Sequence, residues 1–225
     1  MREREHIMYI WGLFVSLAFV CLMLGLSALL QKKGVLDGEG ARKFIHISVS
    51  NWWLIAMAFF KTPLWACIIP ALFIVVNALS HRYRLIPAME RTGTNAGYGT
   101  VYYAVSLTIL ALFTFGPSSR PYVGALGILS MGYGDGVAAI AGQRYGRRKY
   151  RVWRTEKSYL GSAAMFLFSY AACLLVLLSV GRHAPFPALV LASAATVLEA
   201  VTPFELDNLT VPLGVSLLYQ LLFFA

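Results

Sequence analysis

Asp135 stands in Met131-Gly-Tyr-Gly-Asp-Gly-Val-Ala-Ala139, a carboxylate set in an otherwise apolar stretch. An ionisable residue at membrane depth is costly unless it faces a cavity, a partner or a metal. The chemistry that suits it is binding of a divalent cation, or of a nucleotide phosphate through one. Gly134 and Gly136 on either side would permit a broken helix and close backbone approach. The competing reading is small-residue helix packing with Asp135 paired to a nearby arginine.

Further polar groups follow at spacings that suit phosphate. Gly142-Gln-Arg-Tyr-Gly146 runs into a basic stretch from Arg147 to Arg154. Glycine amides beside cationic side chains are what phosphate recognition requires, although such a run also serves as an ordinary cytoplasmic loop. In Lys157-Ser158-Tyr-Leu-Gly161-Ser162, residues Ser158, Gly161 and Ser162 share a helical face. The free amides of that helix start would attract an anion, with Lys157 as counter-charge; alternatively Ser158 is only an N-cap. Arg42, Lys43 and His46 share another face, with His46 able to accept a proton or donate to phosphate, or the three serve as interfacial anchors. Glu199 lies inside the apolar run Leu189–Thr202 and must find a partner there. Asp207 or Asn208 could cap the last helix. The sequon Asn208-Leu-Thr210 is predicted to be cytoplasmic, which argues against glycosylation. The segment 81–98, which includes Asn95, is glycine- and arginine-bearing and could form a lid.

These groups need a scaffold, and composition names its solvent. Of 225 residues, 59% are hydrophobic and 13% charged, far too apolar for a soluble domain of this size. Apolar runs fall at about 7–30, 44–60, 64–80, 99–116, 121–142, 159–181, 185–202 and 209–225, lengths suited to crossing about 30 Å of hydrocarbon as helices. The expectation is an all-α integral membrane protein, a single domain over 1–225 with about seven or eight transmembrane helices in one bundle. The fifth run is interrupted at Gly132–Gly136, and the eighth is short, with Pro212 in its first turn. The first run is too long for a signal-peptide core and reads as a retained anchor. Cys21, Cys67 and Cys173 all lie in apolar runs without metal-ligand spacing.

Alternate connections divide Lys and Arg unevenly, fourteen on one side against five on the other. The positive-inside rule places the richer side in the cytoplasm and the N-terminus outside. The same assignment brings Arg42–His46, Gly132–Gly146, Lys157–Ser162 and Glu199–Asn208 to cytoplasmic helix ends. The net charge of +9 follows from topology and needs no nucleic acid. There is no Gly-x4-Gly-Lys-Ser/Thr loop, Gly-x-Ser-x-Gly elbow, His-Glu-x-x-His or Cys-x-x-Cys.

From about 42 to 214 the pattern resembles the CTP-dependent lipid kinases: dolichol kinase, phytol kinase and the fungal-type diacylglycerol kinase. The resemblance rests on Arg42-Lys43-x-x-His46, Asn95-x-Gly97-x-Gly99-Thr100-Val-Tyr-Tyr103, and Gly134-Asp135-Gly136-x-Ala138-x-x-x-Gly142-x-x-x-Gly146. It continues through Lys157-Ser158-x-x-Gly161-Ser162 and Glu199-Ala-x-x-Pro203 to Asp207-Asn208-Leu-Thr-Val-Pro212. It implies phosphoryl transfer from cytosolic CTP to the hydroxyl of a membrane lipid alcohol, an isoprenoid alcohol first and diacylglycerol next. Asp135 and Asp207 would hold Mg²⁺ or another divalent cation. Lys157, Ser158, Gly161, Ser162, Asn208 and the glycines Gly134, Gly136, Gly142 and Gly146 would cradle nucleotide and phosphates. Arg42, Lys43 and His46 would sit near the transferred group, with Asp135, Glu199 and His46 as candidate bases. The location implied is the cell membrane of a prokaryote, or the endoplasmic reticulum or plastid membrane of a eukaryote.

Phosphatidate cytidylyltransferases also use CTP and look related around the Gly-Asp and Lys-Ser segments, so they form an alternative. A small transporter or flippase is an alternative of another class, since broken helices and buried acids line transport paths. The face Gly124-x-x-Gly127 could serve internal packing or a homo-oligomer.

Overall fold

A computed structural model describes residues 2–83, 85, 97–116, 120–153 and 155–223. The chain divides into two compact units, Met1–Pro121 and Tyr122–Ala225. The first contains α1 (Arg2–Lys32), α2 (Gly38–Phe59), α3 (Pro63–Tyr83) and α4 (Gly99–Thr114). The second is built from α5 (Pro121–Tyr145), β1 (Lys149–Val152), β2 (Thr155–Ser158), α6 (Tyr159–Ser179), α7 (Pro185–Val201) and α8 (Asp207–Phe223). Among the described residues, eight helices thus stand where eight apolar runs were expected. α1, α3, α5 and α6 are long and apolar enough to cross a membrane. α4 and α7, with 16 and 17 residues, rise only about 24 and 26 Å.

In the first unit α1 packs on α2, and α3 on α4. α1 stops at a glycine cap. Gly34 takes φ 70°, its N–H reaches Gln31 O, and Val35 N–H reaches Leu30 O. α2 then starts on Asp37, whose Oδ1 accepts from Gly40 N–H at 2.6 Å. Buried Asn77 on α3 donates to Thr100 O at 3.0 Å and ties α3 to α4. Most of α1 presents Ile7, Ile10, Trp11, Phe14 and Leu22 outward, as a lipid-facing helix would.

In the second unit α6 packs on α7 and α7 on α8. α5 is the inner element, with 78% of its apolar window buried. Small residues make that burial possible. A Cβ on Gly127 would overlap the Pro212 carbonyl of α8, and one on Gly134 would overlap Ser169 and Met165 of α6. Hydroxyls add polar links in the same seams: Ser169 donates to Ser130 O at 3.1 Å and Ser216 to Val123 O at 3.0 Å.

Three expectations are corrected. α5 runs unbroken through Gly132–Gly136, because its glycines are spent on close helix packing and not on unwinding. The basic stretch after α5 is not a plain loop. Lys149-Tyr-Arg-Val152 alternates in character and pairs antiparallel with Thr155-Glu-Lys-Ser158, Tyr150 opposite Lys157 and Arg151 opposite Glu156. α8 begins at Asp207, so Pro212 falls in its second turn.

The packing yields a stability test. Gly127→Ala is expected to lower stability by about 1–3 kcal/mol, because the added methyl meets backbone. Gly25→Ala on α1, where nothing lies within 4 Å, is expected to raise it by about 0.5–1 kcal/mol. Thermal unfolding in detergent, followed by intrinsic fluorescence, checks both signs.

Candidate active site

The sequence separates Asp135, Glu199 and Asp207 by 64 and 8 positions, yet the second unit brings them together. One carboxylate oxygen from each lies within 4.8 Å of the others. Asp135 sits on the buried side of α5, Glu199 in the last turn of α7, and Asp207 at the first position of α8. The α7–α8 connection is short because Phe204 and Glu205 both adopt left-handed backbone, at φ 58° and 60°. That tight turn returns the chain so that Asp207 faces the helix end it has just left. Asn208 braces the turn: its amide donates to Asp207 Oδ1 at 3.1 Å and to Glu205 O at 3.0 Å.

Lys157 reaches the cluster from β2. Its Nζ forms an ion pair with Glu199 Oε1 and donates to the Glu199 carbonyl at 2.8 Å. Burial is the largest single influence on this ammonium and acts to lower its pKa. The Glu199 carboxylate, the hydrogen bond to it, Asp207 and Asp135 together outweigh that effect and hold the pKa above the ordinary lysine value. Lys157 is therefore a cation, aimed at three carboxylates.

Ser158 caps α6, its Oγ accepting from Gly161 N–H at 3.0 Å. Gly142, Gly146 and Gly161 close around that side chain. A Cβ on Gly142 would come within 2.8 Å of Ser158 Oγ, one on Gly146 within 2.6 Å, and one on Gly161 within 3.0 Å. Their lack of side chains lets the end of α5 and the start of α6 meet. Ser162 shares its hydroxyl with Tyr150 OH at 2.5 Å, which fastens the hairpin to α6. Gly136 is buried on α5 beside Asp135.

Arg42 pairs with Glu39 at 2.5 Å, Lys43 is buried on α2, and the His46 ring lies 4.4 Å from that of Tyr103. Asn95 falls outside the described residues. Sequence reasoning assigned the metal to Asp135 and Asp207 and made Glu199 a candidate base, not a ligand of the ion. Its position in an apolar run was the available signal. Tyr150 was missed altogether, although the alternation of its strand gave it an inward face.

Three acidic oxygens at this spacing fit a hard divalent cation, which prefers carboxylate ligands. Lys157 is a neighbour of all three carboxylates, and a divalent cation held by them would add to the neutralisation it provides. Lys157→Met removes the cation paired with Glu199, whose side chain is 8% exposed, and a loss of about 3–5 kcal/mol is expected. Adding Glu199→Gln to that variant is expected to recover part of it. A lysine whose pKa rises on folding contributes fully below its unfolded pKa of about 10.4 and loses that contribution as pH climbs through the folded value. The stability gap between the native chain and Lys157→Met should hold steady from neutral pH to about 10, then narrow. Unfolding midpoints across that range check it.

Comparison with known proteins follows the same residues. No family model and no solved structure matches the chain. Phytol kinase of Synechocystis sp. is 34% identical over 206 residues, covering 85% of this chain and 83% of that protein. The chloroplastic farnesol kinase of Arabidopsis thaliana is 28% identical over 234 residues, 95% of this chain and 74% of its own. A chloroplastic probable phytol kinase 2 of Oryza sativa subsp. japonica is 28% identical over 215 residues, 86% and 69% of the two chains. With the first similarity running through nearly the whole length of both proteins, the chain belongs to the CTP-dependent polyprenol and lipid kinase family, beside the phytol and farnesol kinases.

Proposed function

We propose that this protein is a kinase that transfers the γ-phosphoryl group of CTP to the hydroxyl of an isoprenoid alcohol of the phytol or farnesol class. The observation that carries the reading is the largely buried cluster of Asp135, Glu199 and Asp207 with Lys157 at its edge. Membership beside phytol and farnesol kinases supplies the acceptor class, and CTP is taken from the family.

Phosphoryl transfer asks a protein for positioning and charge neutralisation more than for covalent help. Asp135, Glu199 and Asp207 would hold Mg²⁺ or a similar cation, which when bound supplies neutralisation of the triphosphate. Lys157 stands where its ammonium can turn from Glu199 toward a phosphate oxygen. Asn208 keeps the Asp207 carboxylate oriented. The bond broken is that between the γ-phosphorus and the β–γ bridging oxygen, and the bond formed joins phosphorus to the lipid oxygen. CDP leaves, and the hydroxyl proton passes to a neighbouring base.

In this reading the eight helices form seven or eight spans. The ends of α5 and α7 and the starts of α6 and α8 lie on the cytoplasmic side. The fourteen-to-five division of basic residues supports that orientation.

The experiment is an assay of solubilised protein with γ-labelled CTP, Mg²⁺ and a panel of phytol, farnesol, polyprenol and diacylglycerol. Label is expected in a prenyl phosphate. Asp135→Asn is expected to cut turnover by about 10²–10³-fold, the scale for removing one preorganised charged group, with the unfolding midpoint retained. Label released as pyrophosphate, or no turnover by folded protein, would contradict the reading.

A further inference from the structure

The hairpin between α5 and α6 has two chemically different faces. Tyr150, Val152 and Lys157 share one, and it is turned inward: Tyr150 bonds Ser162 of α6 and Lys157 pairs with Glu199 of α7. Lys149, Arg151, Glu156 and Ser158 occupy the other face; Ser158, where β2 runs into α6, is buried, and the first three are exposed. Glu156 pairs with Lys149 at 2.8 Å, leaving the outer face a surplus of positive charge. Arg147 and Arg148, also exposed, extend it toward α5. Lys149 and Arg151 alternate with inward Tyr150, and their exposed side chains stand on the face opposite Lys157.

The turn residues indicate what this outer face meets. Trp153, at the hairpin tip, takes φ 54° and is 78% exposed. Phe204, in the turn between Glu199 and Asp207, takes φ 58° and is 75% exposed. Left-handed backbone is unfavourable for a bulky side chain, and glycine would relieve it at either position. Both turns instead hold an outward aromatic ring. Aromatic rings near the ends of spanning helices settle at headgroup level, and clustered Lys and Arg beside them attract anionic lipid. Three residues separate the hairpin from the end of α5, and it leads directly into α6, both helices long and apolar enough to span. Connectivity therefore keeps it within reach of the membrane surface.

We propose that the outer face of this hairpin is a docking surface for anionic phospholipid headgroups of the membrane in which the protein sits. Arg147, Arg148, Lys149 and Arg151 bind the headgroups while Trp153 and Phe204 anchor at the interface. The same two strands present Lys157 to the carboxylates, so lipid on the outer face steadies the position of the lysine on the inner one.

The test uses the full chain in nanodiscs of phosphatidylcholine mixed with phosphatidylglycerol, one or the other brominated on its acyl chains close to the headgroup. Trp153 emission is taken as the difference between the native chain and Trp153→Phe, since the chain has 5 tryptophans. Brominated phosphatidylglycerol is expected to quench that component roughly fivefold more efficiently, mole for mole, than brominated phosphatidylcholine, the enrichment one basic side chain near an anionic surface supports. The preference should vanish when Arg147, Arg148, Lys149 and Arg151 are all changed to Gln, with the unfolding midpoint unchanged. Equal quenching by the two lipids, or none by either, would overturn the proposal. It would also fall if the four-fold variant kept its lipid preference and lost nucleotide affinity, which would give these cations to the nucleotide. The readout needs no turnover, so it stands or falls apart from the kinase reading.

Discussion

Three carboxylates held within 4.8 Å of one another in a largely buried setting are the constraint on which the second unit depends. Two like charges about 4 Å apart repel by roughly 4 kcal/mol at an effective dielectric of about 20. A fold that gathers three must compensate them, and Lys157 supplies part of that compensation from a separate strand. A divalent cation bound between the three would relieve the like-charge repulsion further, and this suits the cluster to holding one. Stability and function therefore draw on the same electrostatics, in opposite directions.

Much of the local architecture is the means to that cluster. Glycines along α5 let α6 and α8 approach its backbone, which brings Asp135 to the depth of Glu199 and Asp207. Each helical glycine costs about 1 kcal/mol relative to alanine, and close packing in an apolar seam offsets it. The left-handed pair Phe204–Glu205 folds α8 back on α7, and Asn208 fixes the carboxylate that results. The Tyr150–Ser162 bond and the Ser158 cap set the hairpin, and with it the reach of Lys157. A second glycine-capped stop, Gly181 at φ 73° with Arg182 N–H bonded to Leu177 O, ends α6 before α7 begins.

The helices were legible in the sequence because apolar runs declare themselves by length alone; the run at 64–80 became α3 at Pro63–Tyr83. What was misread was local. Gly132–Gly136 looked like a break because glycine lowers helix propensity, but propensity yields to packing when neighbouring helices need the space. The hairpin was hidden because its charges dominated the reading and masked a period of two. At the site, the value of Asp135 could be read from its cost in an apolar setting. Its partners could not, since a residue 64 positions away becomes a neighbour only through helix packing. Glu199 was recognised as needing a partner, and the structure supplies Lys157 from 42 positions upstream.

Cation binding by the carboxylates tests the account most directly. Mn²⁺ would be titrated into the purified chain without nucleotide, and free ion followed by its paramagnetic resonance signal. The account predicts one saturable site, lost or weakened at least about tenfold, the lower end for a supporting ligand of a metal site, in each of Asp135→Asn, Glu199→Gln and Asp207→Asn. It predicts the same site retained in a control such as Glu156→Gln on the outer hairpin face. Binding that survives all three changes, or no saturable binding by the folded native chain, would contradict it.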